Sequence, residues 1–282
     1  MKTSISTWSF PSSMALGEKL KLARHAGFAG FELDLTEDGP ANLGSSPADL
    51  RAIRAQLDAH GLQPSGLATG LYWGANAASA DPAVRARAAH ILDRQLEAAA
   101  SLGIDTILVV PGAVGVDFIP GGEVVPYADA YERARDFIAA ALPRAESLGV
   151  TIGIENVWNK FLLSPREMAG FIDGFGSARV GAYFDVGNAL ATGYPEHWIT
   201  LLGPRIKRVH FKDYRRNVGT IDGFVDLLSG DVNWPAVMAA LRAIGYDGWC
   251  AAEMIPPVPF YRYAPEVLVE NSHRAMQAIF RL

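Results

Sequence analysis

A short pattern recurs along the chain: the end of a predicted helix, then a glycine, then a short apolar run. It appears as HAGF, AHGL, SLGI, SLGV and AIGY, with glycines at positions 27, 61, 103, 149 and 245. A glycine at such a place can adopt the left-handed conformation that ends a helix and passes the chain into a strand. The first four glycines are spaced by the length of a strand and its returning helix, and the longer last interval leaves room for further strands. The repeat therefore predicts alternating strands and helices.

The last interval contains two segments, ARVGAYFD and IKRVHF, that both have the pattern of strands. With them the predicted strands number eight. This alternation favours a closed barrel over an open sheet, and the first strand is not followed by the GxGxxG of a dinucleotide-binding fold. A chain of 282 residues suits one such barrel. We predict a single (β/α)₈ TIM barrel domain over residues 1–282, with strands near 4–9, 29–34, 63–68, 104–110, 150–155, 179–185, 206–211 and 248–253 and helices that include 83–102, 128–147, 164–174, 234–244 and 265–280.

Composition excludes several classes of function. The net charge is −5, with acidic and basic residues mixed, which argues against a nucleic-acid partner. Cys250 is the only cysteine, so we expect a buried thiol in a reducing compartment. The N-terminus lacks the apolar core of a signal peptide, and no apolar run reaches the length of a membrane helix. We expect a soluble, cytoplasmic protein without a membrane partner; a homo-oligomer is compatible with the sequence.

Four residues of metal-ligand type stand at the predicted strand ends: Glu155, Asp185, His210 and Glu253. In a barrel of this kind, chemistry takes place at the carboxyl ends of the strands, and the alternation of side chains turns these residues inward. Each acid alone could pair with a base or cap a helix, but three carboxylates and one imidazole at one depth would repel one another without a cation. We therefore predict one divalent metal ion, with Mn²⁺ as the first choice and Mg²⁺, Co²⁺ or Zn²⁺ as alternatives.

These residues lie within longer phrases that resemble the sugar phosphate isomerase/epimerase family of xylose-isomerase-like barrels. Within that family, the sequence is most similar to L-xylulose-5-phosphate 3-epimerase-like and tagatose 3-epimerase-like members. The resemblance covers most of the chain at the level of the fold, and its specific motifs lie in the C-terminal half. The matching phrases are IGIENVWNKFLLSP (152–165), YFDVGNALATGYPEHW (183–198), VHFKD (209–213), GDVNWPAVMAALRAIGYDG (230–248) and AAEM (251–254).

The resemblance implies that Glu155, Asp185, His210 and Glu253 bind the metal and that the two glutamates also move a proton. The metal would bind two adjacent oxygens of a ketose and acidify the C–H bond next to the carbonyl. One glutamate would remove that proton to give a cis-enediolate, and the other would return it on the opposite face. The implied activity is metal-dependent isomerisation or epimerisation of a ketose or ketose phosphate. Which glutamate is the base stays open.

Five further residues are candidate contacts for a small-molecule sugar or sugar phosphate. Trp8, at the end of the first predicted strand, would form an apolar wall. Lys160 and Lys212 could hold a phosphate, although solvated surface is the usual fate of such lysines. Arg216 stands where family epimerases carry an arginine that contacts the substrate. Asn188 departs from the family, whose members acting on free ketohexoses have a histidine there, so the identity of the sugar stays open.

Other functions are compatible with the same site. The resemblance extends to a metal-dependent lyase of the inosose dehydratase type and to hydroxypyruvate isomerase. DNA-repair endonucleases share the fold but need more histidines than this chain offers. A barrel that binds a sugar without catalysis would not require both glutamates. The long loop 111–127 could close over the site or remain a passive surface loop.

Strand alternation carries one further expectation. Arg208 shares a face with the ligand histidine, and Glu32 shares the inward face of the second strand. A lone charge inside a barrel would be costly. We therefore expect Arg208 and Glu32 to pair or to join a polar network.

Overall fold

The computed structural model describes residues 1–254 and 263–282. Within these residues, eight parallel strands close a barrel in which each strand pairs with its neighbours in sequence and the last pairs with the first. This closed arrangement confirms the predicted (β/α)₈ barrel. The strands are β1 (Lys2–Ser6), β2 (Gly30–Asp34), β3 (Gln63–Ala68), β4 (Thr106–Val109), β5 (Thr151–Glu155), β6 (Val180–Asp185), β7 (Ile206–Phe211) and β8 (Trp249–Ala252).

Helices lie between the strands and pack against the barrel, so that every residue of β5 and β6 is buried. Such burial on both faces is typical of parallel strands, whose runs are apolar throughout. The longer helices of the described residues are α1 (Leu16–Ala26), α2 (Pro47–Ala59), α3 (Pro82–Leu102), α4 (Tyr127–Leu148), α5 (Pro165–Asp173), α6 (Pro195–Leu202), α7 (Trp234–Ala243) and α8 (Pro265–Ile279).

Local signals set the ends of these helices. The side chain of Ser46 and the side chain of Asp81 each accept a backbone N–H from the first turn of the helix that follows. Gly103 and Gly149 end α3 and α4 with φ of 72° and 70°. A residue with a Cβ adopts that conformation only at a cost, which explains why the recurring pattern carries glycine.

The first strand differs from its prediction. It begins at Lys2 and ends at Ser6, and Trp8 lies in a short 3₁₀ helix, Thr7–Ser9, so the placement of Trp8 at the end of the strand is wrong. The physical reason is local: the Ser6 hydroxyl accepts the N–H of Trp8 at 3.3 Å and caps the turn.

Arg208 and Glu32 both join polar networks, as expected, but they do not share one. Arg208 pairs with Asp105 and donates from Nε to the carbonyl oxygen of Ser65 at 2.6 Å, near the amino-terminal ends of the strands. Glu32 lies fully buried inside the barrel, where it contacts His210. The two charges are therefore satisfied at different depths.

Cys250 is buried in β8, as predicted. Among the described residues, the structure contains no helix that combines the length and the hydropathy of a membrane-spanning segment.

Candidate metal centre and active site

Glu155, Asp185, His210 and Glu253 meet at the carboxyl end of the barrel. One ligand atom from each residue lies within 4.8 Å of the others, and all four residues are buried. Glu155 and Asp185 end β5 and β6, and Glu253 directly follows β8. His210 Nδ1 lies 3.0 Å from Glu253 Oε2, 3.8 Å from Asp185 Oδ2 and 4.0 Å from Glu155 Oε1. The structure thus brings together the four residues that the strand ends singled out.

The donor atoms of this cluster fit a metal ion. His210 Nδ1, Asp185 Oδ2 and Glu253 Oε2 are buried and form no hydrogen bond of good geometry, although Lys212 Nζ lies close to both carboxylate oxygens. Buried polar atoms nearly always form well-aligned hydrogen bonds, so three that lack one and converge on one point fit a site that a metal ion would complete. Three carboxylates and one imidazole are a donor set suited to a divalent cation.

Lys212 lies inside the same cluster. Its Nζ is 2.9 Å from Asp185 Oδ2 and 2.5 Å from Glu253 Oε2, and it lies 4.9 Å from the centre of the Phe224 ring. Three carboxyl groups therefore share one ammonium group. Lys212, expected as a phosphate contact, instead contacts the carboxylates.

Burial and charge shift the titration of these groups in the metal-free protein. Burial, reinforced by the Glu253 carboxylate, raises the pKa of Glu155 to about 8. Burial also raises the pKa of Asp185 to about 6, although Lys212 opposes the shift. Burial alone would raise the pKa of Glu253, but Lys212 and His210 hold it well below its usual range. The two glutamates of one site therefore differ in charge near neutral pH.

Glu32 orients the histidine from behind. His210 Nε2 lies 2.9 Å from both Glu32 oxygens, and the Tyr183 hydroxyl donates to Glu32 Oε2. An Nε2–H that donates to a carboxylate leaves the lone pair of Nδ1 facing the cluster. Sequence reasoning placed Glu32 inside the barrel but did not connect it to the site, because the contact joins strands that are distant in sequence.

Asn156 and Asn188 brace the carboxylates. The Asn156 side chain exchanges two hydrogen bonds of 2.8 Å with the backbone of Asp185. The backbone N–H of Asn188 donates to Asp185 Oδ1 at 2.7 Å, and its side-chain amide lies 3.5 Å from Glu155 Oε1. Asn188 is thus within reach of both carboxylates. Asn156 was not predicted, although its position next to Glu155 in the sequence is a usable signal.

A cavity of about 300 Å³ opens above the cluster. Glu155, Glu253 and Lys212 line it, and most of its remaining wall is apolar. Trp8 also lines this cavity, and its Nε1 lies 3.3 Å from Asp34 Oδ2. The rest of the apolar wall includes Trp73, Val110, Phe118, Ile221 and Phe224. Phe118 comes from the long loop 111–127, so that segment contributes to the cavity.

The other two predicted substrate contacts lie in an adjoining cavity of about 430 Å³. Lys160 forms an ion pair of 2.5 Å with Asp117, and the Arg216 guanidinium stacks 4.9 Å from the centre of the Tyr194 ring. Both side chains are largely exposed. The structure therefore separates them from Lys212 and from the carboxylate cluster.

Comparison with known proteins finds relatives of moderate identity. The chain is 27% identical over 247 residues to the putative L-ribulose-5-phosphate 3-epimerase SgbU of Escherichia coli strain K12, covering 84% of this chain and 82% of that protein. It is also 27% identical over 184 residues to the uncharacterized protein MJ1311 of Methanocaldococcus jannaschii. That match covers 63% of this chain and 60% of the archaeal protein.

Solved structures share the fold. D-psicose 3-epimerase, crystallised in the presence of D-fructose, superimposes with a TM-score of 0.81 at 21% identity, covering 99% of this chain and 98% of that chain. The IolI protein with a bound zinc atom superimposes with a TM-score of 0.79 at 18% identity, with the same coverage. Residues 20–278 match the family described as xylose isomerase-like TIM barrel. The chain belongs to the xylose isomerase-like TIM barrel family.

Proposed function

We propose that the protein is a divalent-metal-dependent isomerase or epimerase that acts on a ketose or a ketose phosphate. The observation that carries the proposal is the placement of two buried glutamates, Glu155 and Glu253, on the wall of one cavity beside a metal-ligand cluster. A purely metal-binding site has no need for a carboxylate that also faces a substrate-sized cavity. The similarity to a putative L-ribulose-5-phosphate 3-epimerase supports the same class of substrate.

The chemistry follows from the positions of the two glutamates. When bound, the divalent ion would polarise the substrate carbonyl and so acidify the neighbouring C–H bond. Glu155 and Glu253 come from β5 and β8, which are separated in the barrel by β6 and β7. They can therefore reach the substrate from different directions, one removing a proton and the other returning it. Return to the same carbon on the opposite face gives an epimer, and return to the adjacent carbon gives an isomer.

The remaining residues of the cavity support this transfer. Lys212 carries positive charge against Glu253 and Asp185 and faces the cavity, where negative charge develops on the substrate oxygens during proton removal. The reacting carbons would be surrounded by an apolar wall that includes Trp8, Trp73 and Phe118. Such a wall excludes water, which strengthens these charge interactions and limits loss of the reactive enediolate.

Proton exchange tests the proposal. The wild-type protein, loaded with Mn²⁺, would be incubated in D₂O with ketopentoses, ketohexoses, their phosphates, hydroxypyruvate and inosose, and followed by NMR. We expect deuterium to enter next to the carbonyl of a ketose or ketose phosphate while a second sugar appears. Turnover confined to hydroxypyruvate, or loss of water from inosose, would support the alternative activities. No exchange with any compound, in protein shown to hold metal, would contradict the proposal.

A further inference from the structure

Two cavities at the carboxyl end of the barrel share part of their lining. The catalytic cavity of about 300 Å³ and the second cavity of about 430 Å³ are both lined by Val157, Trp158 and Asn188. Asn188 also approaches Glu155, so the shared wall lies directly beside the reacting groups. The two cavities therefore adjoin at this wall.

The second cavity differs from the first in its charges. Its lining includes Lys160 and Arg216, with Asp117 as its acidic residue. Lys212, the lysine of the catalytic cavity, is held between Asp185 and Glu253 and is directed at the metal cluster. The three cations are thus divided between the two cavities: Lys212 lines the first, and Lys160 and Arg216 line the second.

Arg216 presents an available guanidinium. Its backbone N–H donates to Asp231 Oδ2 at 2.8 Å, which fixes the position of the residue, and its guanidinium stacks on the Tyr194 ring. In the part of the chain that the structure describes, no carboxylate forms an ion pair with this side chain. A stacked guanidinium keeps its planar set of N–H donors, which matches the geometry of a phosphate.

Lys160 is held in a strained backbone conformation. Its φ is 55°, in the left-handed region that residues with a side chain rarely adopt. The preceding Asn159 maintains this turn: its side chain donates to the Gly112 carbonyl at 2.8 Å, and its own carbonyl accepts the N–H of Val114 at 2.9 Å. Strain of this kind persists where surrounding contacts enforce it and is frequent at ligand clamps. The ion pair between Lys160 and Asp117 is exposed, so a dianion can compete with it.

We propose that the second cavity binds the phosphate group of the substrate, with Arg216 and Lys160 as its cationic contacts, and that the preferred substrate is accordingly a ketose phosphate. This inference rests on the proposed function, because the sugar carbons must occupy the catalytic cavity while the phosphate occupies the second. Asn188 and Trp158 then lie between the reacting carbons and the phosphate. In this arrangement the phosphate group is recognised away from the four candidate metal ligands, and Lys212 takes no part in recognising it.

Steady-state kinetics of three variants test the inference. For wild type, we expect kcat/KM to be at least tenfold higher for a ketose phosphate than for the same free ketose. Arg216→Gln and Lys160→Gln should each lower kcat/KM for the phosphate by about tenfold through KM, and should lower the value for the free ketose by a clearly smaller factor. Arg215→Gln is the matched control: Arg215 is also exposed but donates from Nε to the Ser229 carbonyl and lines neither cavity.

The inference is wrong if wild type does not prefer the phosphate, or if the two variants slow both substrates equally. A calorimetric titration with inorganic phosphate separates it from the proposed function. Mg²⁺-loaded wild type should bind phosphate, and Arg216→Gln should bind it at least tenfold more weakly. If no ketose exchanges deuterium but this binding is present, the proposed function fails and the anion site stands. If phosphate does not bind wild type, the anion site fails whatever the kinetics.

Discussion

His210 Nε2 lies 2.9 Å from both carboxylate oxygens of Glu32, so a buried carboxylate orients the imidazole of the candidate metal centre. The hydroxyl of Tyr183, on the neighbouring strand β6, donates a hydrogen bond to the same carboxylate. Gly66 leaves the space for that hydroxyl, because a Cβ at this position would overlap the Tyr183 oxygen. The contact therefore depends on four strands, β2, β3, β6 and β7, meeting inside the closed barrel.

Glu32→Gln should weaken the binding of Mn²⁺ by about 10- to 100-fold, the usual effect of removing a carboxylate behind a ligand histidine. The amide keeps the size of the side chain but not the charge that holds Nε2–H. Isothermal titration of the metal-free protein measures the effect. Glu37→Gln, at an exposed glutamate of the loop after β2, is the control and should bind Mn²⁺ like wild type. Equal affinity in Glu32→Gln would show that Glu32 does not position the histidine.

Metal binding should stabilise the fold. A metal that binds only the folded state at 100 times its Kd adds about 2.7 kcal/mol to the free energy of unfolding. Urea denaturation with and without Mn²⁺ measures this increment. In Asp185→Asn the increment should shrink at the same Mn²⁺ concentration, because one ligand has lost its charge. A wild-type unfolding midpoint that does not respond to Mn²⁺, Mg²⁺, Co²⁺ or Zn²⁺ would contradict the assignment of a metal site.

The affinity for metal should fall as the pH falls below about 8. Burial and the Glu253 carboxylate raise the pKa of Glu155 to about 8 in the metal-free protein, so below this pH the Glu155 carboxyl is mostly protonated. A ligand carboxylate must lose that proton, and metal binding then releases it. We expect the apparent Kd to rise by up to about tenfold per pH unit between pH 8 and 6. Titrations in buffers of different ionisation enthalpy count the released protons, and zero released protons at pH 7 would refute the prediction.

Asp213 holds the segment that follows β7. Its buried carboxylate accepts N–H groups from Tyr214, Leu228 and Val232 and from the indole of Trp234. Asp213→Asn places an amide N–H among these donors and should lower the free energy of unfolding by about 1–3 kcal/mol. Urea denaturation measures the loss, and Asp222→Asn, at an exposed aspartate of the same segment, should change it little. Equal stability of the two variants would show that this network does not hold the segment.

The sequence carried enough local information to predict the barrel and the four clustered residues. Glycine caps and side-chain caps act within a few residues, and the position of Glu155 or Asp185 at a strand end is itself local. The alternation of side chains along β2 was also sufficient to predict that Glu32 points into the barrel. The sequence could not identify His210 as the partner of Glu32, because this contact exists only after β2 and β7 face one another across the closed barrel.

The substrate contacts were harder to predict because loops position them. Lys160, Lys212 and Arg216 are equivalent as basic residues after strand ends, yet Lys212 lies at the carboxylates while the other two line a separate cavity. The backbone turn at Lys160 and the stacking of Arg216 on Tyr194 decide this division. Neither has a signal in residue type or spacing.

Deuterium exchange by ligand variants tests the central claim, that Glu155 and Glu253 carry the proton as well as the metal. The measurement compares Glu155→Gln, Glu253→Gln and Asp185→Asn in D₂O with the substrate of the wild-type protein, at Mn²⁺ concentrations shown by metal analysis to load each variant. We predict that loaded Asp185→Asn recovers exchange, because Asp185 only binds metal, whereas neither loaded glutamine variant exchanges above the rate without protein. Exchange at the wild-type rate in either loaded glutamine variant would contradict the account.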